Sequence, residues 1–127
     1  MVDGTYIDAP HGTPIPKKVP ISIIYKTSLF KSDGTNPCLL YGYGSYGISI
    51  DPTWSYSRFS LLDRGFVYAI AHIRGGGDCG RGWYETGKFK YKKNTFHDFI
   101  ACAKEIVKEK ITNHQCLAIE GRSAGGL

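Results

Sequence analysis

The sequence predicts an α/β fold in which helices flank a mostly parallel sheet. Three observations support this prediction. Short apolar segments rich in β-branched residues alternate with helix-like segments, one segment has a clear helical period, and a glycine-containing turn follows the last apolar run. Alternation of this kind favours parallel pairing, because each crossover helix covers a face of the sheet. Hydrophobic residues make up 42% of the 127 residues, which is typical of a globular domain.

Five strand segments follow one another along the chain. Runs of apolar residues identify them, and turn signals separate them, at Pro10-His11-Gly12 after the first and at Asp33-Gly34 after the second. The second segment is a nearly continuous run of β-branched residues. The five predicted strands span residues 5–7, 19–25, 38–41, 66–70 and 117–119.

Two helices are predicted between these strands, at residues 54–64 and 95–110. The first has only a modest apolar face. In the second, the spacing of apolar residues predicts one continuous buried stripe, made of Phe96, Phe99, Ile100, Ala103, Ile106 and Val107. Thr95 and Asp98 resemble a capping arrangement at its start, and Lys108 and Lys110 lie near the negative end of the helix dipole.

The bulk properties argue against several function classes. The net charge of +5 is spread along the chain, except at residues 88–93, where four lysines are interleaved with two aromatic residues. Such a run can bind single-stranded nucleic acid, but a solvated loop before a helix is the favoured interpretation. The four cysteines lack zinc-binding spacing, and no apolar stretch reaches membrane-spanning length. We therefore expect a cytoplasmic protein with no metal ion or other cofactor and no nucleic-acid or membrane partner.

A G-x-S-x-G motif places Ser123 directly after the last predicted strand. In this arrangement a sharp, strained turn exposes a serine hydroxyl above a parallel sheet, and crowding at the turn requires small neighbours. In an α/β-hydrolase the nucleophile follows the fifth strand, and an oxyanion donor comes from the loop after the third. Here that loop is the glycine-rich segment 42–47. The sequence therefore predicts a partial α/β-hydrolase fold that stops at the nucleophile turn.

Two G-x-G-x-x-G matches, at residues 42–47 and 75–80, raise the alternative of a dinucleotide site. Such a site needs a helix that begins at the loop and holds the pyrophosphate with its first amides. Pro52 disfavours a helix after the first match, and Gly82 and Gly87 interrupt any long helix after the second. These breaks argue against nucleotide binding.

The chain contains several acids and histidines that are candidates for a catalytic relay: Asp51, Asp78, Asp98, His72 and His97. In the hydrolase order, however, the acid and then the histidine follow the nucleophile. No aspartate or histidine follows Ser123 in this sequence. His97 comes directly after an apolar helix residue and is expected at the surface.

Six segments together are more specific than the serine motif alone. They read LYGYGSYG at 40–47, DRGF at 63–66, IRGGG at 73–77, WYE at 83–85, NTFHDF at 94–99 and GRSAGG at 121–126. On these segments, the chain resembles the catalytic domain of the prolyl oligopeptidase family of serine peptidases. Ala124 favours the oligopeptidase B branch, since members nearer to prolyl oligopeptidase itself usually carry Asn at this position.

The resemblance implies roles for five residues. Ser123 is the implied nucleophile, and the backbone N–H of Ala124 with the hydroxyl of Tyr43 forms the implied oxyanion hole. Tyr46 is implied to line the substrate cleft, and Asp51 to bind a positively charged substrate side chain. The loop at residues 74–77 is expected to support the site with its backbone rather than to contact a ligand.

The resemblance further implies a serine oligopeptidase that hydrolyses short peptides after Arg or Lys through an acyl-enzyme. The basic-specific branch often has a second acid two residues after the position of Asp51, where this chain has Thr53, so the strength of the basic preference stays open. Two alternatives remain. One is an esterase or acyl transferase of the same fold, and the other is a catalytically silent binding protein.

The resemblance also implies that residues 1–127 are the N-terminal portion of a catalytic domain. The family's β-propeller is expected before this portion, and the aspartate and histidine of the triad after it. We therefore expect the 127 residues alone to have no peptidase activity, because a serine without an adjacent base is a poor nucleophile.

Overall fold

The computed structural model describes residues 2–3 and 18–127, which form two sheets and three α-helices. The strands in this part of the chain are β1 (Val2–Asp3), β2 (Lys18–Val19), β3 (Ile21–Ile24), β4 (Cys38–Gly42), β5 (Val67–Ala71) and β6 (Leu117–Glu120). The helices are α1 (Tyr56–Leu62), α2 (Arg81–Glu85) and α3 (Lys93–Lys108). Short 3₁₀ turns lie at Phe89–Tyr91 and Ser123–Gly126. None of the helices in these ranges is long and apolar enough to cross a membrane.

The larger sheet has four strands in the order β3-β5-β4-β6. Strand β4 lies between β5 and β6 and is parallel to both, with Leu40 opposite Ala69 of β5 and Ile119 of β6. At the other side, β3 is antiparallel to β5, with Ser22 opposite Ile70. The mostly parallel α/β sheet predicted from the sequence is therefore confirmed. Strands β1 and β2 form a separate antiparallel pair.

Both faces of the sheet are covered at its centre, whereas Ala118 and Ile119 of β6 are exposed. Every residue of β5 is buried, as expected for a strand with packing on two sides. On one face, β4 and β5 pack against Cys102 and Ile106 of α3. On the other face, Tyr68 and Ile70 pack against Leu62 of α1. Because β4, β5 and β6 are parallel, their carboxyl ends meet at one edge of the sheet, and the loops of the candidate site begin there.

Most of the predicted elements are confirmed, with ends that differ by a few residues. The strands predicted at 38–41, 66–70 and 117–119 are β4, β5 and β6, and the helix predicted at 54–64 is the shorter α1. The strand predicted at 19–25 is split into β2 and β3 at Pro20, which has no N–H to donate to a ladder. The strand predicted at 5–7 and the turn at 10–12 lie outside the described residues.

The buried face of α3 differs from the predicted apolar stripe. Five of its residues are buried and three of these are polar: Asn94, Thr95, Asp98, Cys102 and Ile106. Ile100, predicted to be in the stripe, is 50% exposed. The predicted cap is also wrong, because the helix begins at Lys93 and the Thr95 hydroxyl donates to the carbonyl oxygen of Arg74 at 2.6 Å. Polar residues are buried on this face because the loop after β5 offers them hydrogen-bond partners.

Candidate active site

Ser123 lies on the turn that follows β6, with a backbone φ of +51°. A non-glycine residue in this region is strained, so the predicted strain at the motif serine is confirmed. The flanking glycines permit the turn. A Cβ at Gly121 would collide with the carbonyl oxygen of Gly125, and a Cβ at Gly125 would lie 2.9 Å from the carbonyl oxygen of Gly42. The turn therefore presents an exposed serine and leaves no room for a Cβ at Gly121 or Gly125.

The loop after β4 packs directly against this turn. A Cβ at Gly125 would lie 2.9 Å from the Cα of Tyr43 and 3.1 Å from its Cδ2. This proximity follows from the topology, because β4 and β6 are parallel neighbours whose carboxyl ends lie side by side. The structure thus packs the turn that carries Ser123 and Ala124 against the loop that carries Tyr43, the three residues for which the resemblance implied the roles of nucleophile and oxyanion hole.

Three loops meet backbone to backbone beneath Tyr43. A Cβ at Gly75 would collide with the carbonyl oxygen of Gly44, and one at Gly87 would collide with the backbone nitrogen of Gly75. The N–H of Gly47 donates to the carbonyl oxygen of Gly75 at 2.9 Å. The loop at 74–77 therefore supports the loop at 42–47 with its backbone, as predicted.

Arg74 anchors this support in the interior. Its Nε and backbone N–H donate to Asp98 Oδ2 at 2.7 and 3.0 Å, and its Nη2 donates to Asp98 Oδ1 at 2.6 Å. Both side chains are almost completely buried. Asp98, which the sequence offered as a candidate catalytic acid, is instead the partner of a buried arginine. His97, next to it on α3, is exposed as expected.

Lys92 holds the Tyr43 loop from the other side. Its ammonium donates to the carbonyl oxygen of Gly44 at 2.6 Å and to the Ser45 hydroxyl at 2.7 Å. Within the described ranges it has no carboxylate partner, and burial lowers the pKa of the group. The prediction of a solvated lysine loop is therefore wrong for Lys92, although its neighbour Lys93 is exposed.

Tyr46 and Asp51 lie further along the same loop. Tyr46 is 74% exposed and has a φ of +56°. Asp51 is exposed and lines a cavity of about 600 Å³ together with Glu120 and Arg122, which flank the start of the serine turn. The structure therefore places Asp51 beside the strand that carries the turn. Arg58 lines the same cavity, so its acidic residues are matched by basic ones.

A polar chain that the sequence did not reveal lies below the Asp51 segment. The Ser22 hydroxyl and His72 Nε2 are 2.8 Å apart, and His72 Nδ1 and Asp78 Oδ1 are also 2.8 Å apart. Asp78 Oδ1 in turn accepts the backbone N–H of Ile50 at 3.0 Å. Ser22 and His72 are 50 positions apart and meet only through the register of β3 and β5. The sequence offered His72 and Asp78 as separate candidates for a catalytic relay, but it did not link them to each other or to Ser22.

The chemistry available at Ser123 is that of an exposed hydroxyl on a strained turn. No side chain in the part of the chain that the structure describes forms a hydrogen bond with the Ser123 hydroxyl, so a base is not supplied there. Residues 2–3 and 18–127 also contain no group of three His, Cys, Asp or Glu side chains placed to hold a metal ion. The site suits nucleophilic catalysis once a base is brought to the serine.

Comparison with known proteins identifies related sequences. The chain is 50% identical over 110 residues to a dipeptidyl aminopeptidase BI from Pseudoxanthomonas mexicana, covering 87% of this chain and 15% of that protein. It is 46% identical over 110 residues to protease 2 from Moraxella lacunata, covering 87% of this chain and 16% of that protein. The chain thus spans less than a fifth of the length of these relatives.

Solved structures give the same relationship. Oligopeptidase B from Trypanosoma brucei with covalently bound antipain matches with a TM-score of 0.81 and 52% identity, over 93% of this chain and 16% of that one. Oligopeptidase B from Leishmania major matches with a TM-score of 0.81 and 48% identity, over 98% of this chain and 17% of that one. The resemblance to oligopeptidase B inferred from the sequence is confirmed. Since the model of the prolyl oligopeptidase family matches residues 52–127, the chain belongs to that family of serine peptidases.

Proposed function

We propose that this chain carries the nucleophile and oxyanion hole of a serine oligopeptidase. The observation that carries the proposal is the strained, exposed Ser123 on a turn packed against the Tyr43 loop. A side chain held in this conformation is costly to the fold, and such strain is concentrated at functional sites. The family match and the similarity to oligopeptidase B support the same proposal.

The reaction proceeds in two steps. In the first, Ser123 Oγ attacks the peptide carbonyl carbon, its proton passes to a base, and the amine leaves with that proton to give an acyl-enzyme. In the second, water attacks the ester and restores the serine. Negative charge on the carbonyl oxygen in each tetrahedral intermediate is met by the Ala124 N–H and the Tyr43 hydroxyl. The close packing of the two turns supports this role, because donors held in place before the reaction need little reorganisation during it.

The base and its acid come, in this proposal, from outside the 127 residues. The lengths of the relatives support this, because the chain spans 15% and 16% of two of them. Residues 1–127 would form the N-terminal portion of the catalytic domain, and a separate propeller domain would belong to the same enzyme. The 127 residues alone would then show no Ser123-dependent peptidase activity, which an assay of the purified chain tests directly.

The substrates we propose are short peptides with Arg or Lys before the cleaved bond. An exposed carboxylate at Asp51, in a cavity beside the serine turn, supports recognition of a basic side chain. Arg58 and Arg122 line the same cavity, and Thr53 occupies a position where a second acid would strengthen the binding of a basic side chain. The preference for Arg or Lys should therefore be moderate. We also place the enzyme in the cytoplasm, where its cysteines stay free.

Acyl transfer is a second candidate activity. One relative, 41% identical over 111 residues, is a dual-function macrocyclase-peptidase from Galerina marginata. In such a reaction an amine of the substrate, rather than water, would attack the acyl-enzyme on Ser123. Product analysis by mass spectrometry separates the two outcomes. The product of transfer has the mass of the substrate minus its leaving group, whereas the corresponding product of hydrolysis is heavier by one water.

A fluorophosphonate probe tests the proposed nucleophile in the full-length enzyme. We expect one phosphonylated residue, Ser123, and loss of labelling in Ser123→Ala. Comparison of peptide and ester substrates with matched side chains then separates a peptidase from an esterase. An unlabelled Ser123 in an otherwise folded enzyme would contradict the proposal and favour a catalytically silent binding protein.

A further inference from the structure

The chain of hydrogen bonds from Ser22 through His72 to Asp78 has a defined polarity. A carboxylate only accepts hydrogen bonds, so His72 Nδ1 carries a proton and donates it to Asp78 Oδ1 at 2.8 Å. With neutral His72, its Nε2 accepts the Ser22 hydroxyl proton at 2.8 Å. The side chains of His72 and Asp78 are each only 11% exposed. This relay therefore fixes the orientation of the Asp78 carboxylate with little competition from water.

The same carboxylate oxygen holds the backbone just before Asp51. Asp78 Oδ1 accepts the N–H of Ile50 at 3.0 Å, and Ile50 also packs against the apolar cluster of Leu62, Tyr68 and Ile70. Two independent contacts thus fix Ile50, one polar and one apolar. Since Asp51 is the next residue, its backbone position depends on both.

The relay and Asp51 also share a cleft. A cavity of about 240 Å³ is lined by Pro20, Ser49, Asp51, His72 and Asp78. The Asp51 carboxylate is therefore separated from the relay by a small open space and is not in contact with it. A displacement of the Asp78 side chain would move the backbone at Ile50, to which it is hydrogen-bonded, and thereby the adjacent Asp51.

Ser22 does not have the surroundings of a nucleophile, although serine, histidine and aspartate occur here in the order of a catalytic relay. Ser22 lies inside the regular strand β3, opposite Ile70, whereas Ser123 lies on a turn with positive φ. Successive N–H groups of a regular strand point in opposite directions, so no two of them converge on one oxyanion. The relay is thus better suited to holding a loop than to forming an acyl-enzyme.

We propose that Ser22, His72 and Asp78 are positioning residues for Asp51 and thereby set the recognition of basic substrates. This inference rests on the proposed function, in which Asp51 binds a basic side chain. The contact lies away from the scissile bond, so loss of the relay should weaken binding equally in the ground and transition states. It should raise KM for basic substrates and leave kcat nearly unchanged.

The experiment compares Asp78→Ala with Asp78→Asn in the full-length enzyme. The asparagine retains an acceptor oxygen for Ile50, whereas the alanine retains none. For peptides with two adjacent basic residues, we expect Asp78→Ala to raise KM about tenfold, as for loss of one charge-assisted hydrogen bond. We expect less than about threefold for Asp78→Asn, and kcat within about twofold for both. Hydrogen exchange at the Ile50 amide should accelerate in Asp78→Ala.

Asp33→Ala is the matched control. Asp33 Oδ1 also accepts a backbone N–H, that of Thr35 at 2.9 Å, in an exposed turn. This variant should leave both KM and Ile50 exchange at the parent values. If Asp78→Ala does not fold, His72→Leu is the second variant. It removes the group that orients Asp78, while the Ile50 N–H keeps its acceptor. KM for basic peptides should then rise about threefold.

Two results would overturn the inference. The first is an unchanged KM in Asp78→Ala despite faster exchange at Ile50, which would make the relay purely structural. The second is an equal loss of kcat for basic and neutral peptides. Failure of the proposed function itself looks different, because the parent enzyme would then lack Ser123 labelling or any preference for basic peptides, whatever residue stands at position 78.

Discussion

Arg74 and Asp98 form a buried bidentate ion pair that joins the loop after β5 to α3, with an Nη2–Oδ1 distance of 2.6 Å and an Nε–Oδ2 distance of 2.7 Å. Each charge is hydrogen-bonded to the other away from water. The pair lies directly beneath the glycine contacts that support the Tyr43 loop. Its removal should therefore affect both stability and the site.

Asp98→Ala should lower the free energy of unfolding by about 3–5 kcal/mol, because it leaves the Arg74 guanidinium buried without a partner. Urea denaturation of the full-length enzyme measures this change. Asp63→Ala is the control, since Asp63 pairs with Lys26 at the surface and its loss should cost less than about 1 kcal/mol. Equal losses in the two variants would show that the buried pair contributes no more to the free energy of unfolding than the surface pair does.

Tyr43→Phe should lower kcat by about 10²–10³ and leave KM nearly unchanged, as for loss of one preorganised oxyanion donor. Steady-state kinetics with a single peptide substrate measure both constants. The phenylalanine keeps the ring that packs against the serine turn, so the change tests the hydroxyl alone. A kcat within about threefold of the parent would reduce Tyr43 to a packing residue.

Lys92→Met should lower kcat about tenfold, because the loop that carries Tyr43 loses two hydrogen bonds at Gly44 and Ser45. Methionine preserves most of the apolar length of the side chain. The neighbouring Lys93→Met, which removes an exposed charge, is the matched control and should leave kcat unchanged. A similar loss in both variants would point to the overall charge and not to the loop.

Asp51→Asn should weaken substrates with adjacent basic residues more than substrates with a single one. The expected loss is about 1–2 kcal/mol, as for a partly desolvated charge-assisted hydrogen bond, and it should appear in KM. The net charge of +5 in this chain repels cationic peptides at long range, so a local carboxylate has to outweigh it. Identical effects on dibasic and monobasic peptides would remove Asp51 from the proposed site.

The stability contributed by Asp78 should depend on pH. Burial favours the neutral acid, but hydrogen bonds from His72 and from the Ile50 N–H outweigh it, and the pKa of Asp78 is lowered below 3.8. A lowered pKa in the folded state means that the stabilisation is present above the unfolded value and is lost as the pH falls through the folded value. The parent should therefore be more stable than Asp78→Asn at pH 6, and the difference should shrink towards pH 3. Urea midpoints across this range measure it, and a constant difference would contradict the assignment.

The parts of the site that the sequence predicts lie in contiguous segments. The turn at Ser123 and the loop at Tyr43 each follow a short apolar strand, and the glycines that permit them are adjacent in the chain. The roles proposed for Ser123, Ala124 and Tyr43 came from the resemblance to the family, which these contiguous segments made recognisable before any geometry was known.

The parts that the sequence does not predict depend on contacts between distant residues. From the sequence, Asp98 is a capping partner or a candidate catalytic acid, and only the folded chain brings it Arg74, 24 positions earlier, as a partner. The relay from Ser22 to His72 likewise requires the antiparallel register of β3 on β5, which no local pattern encodes. Partners of this kind also explain why Thr95 and Asp98 are buried on α3 beside Phe99, Ala103 and Ile106 of the predicted apolar stripe.

The backbone contacts among Gly44, Gly75 and Gly87 have a consequence for protein engineering. The three loops meet main chain to main chain at these glycines, so their mutual fit depends on main-chain shape as well as on the hydrogen bonds of Lys92 and Thr95. Grafting a single loop from a relative with another specificity would place a foreign main chain against two unchanged neighbours. A chimaera that exchanges all three loops as one unit preserves the fit, and it is the smallest transplant that we expect this scaffold to accept.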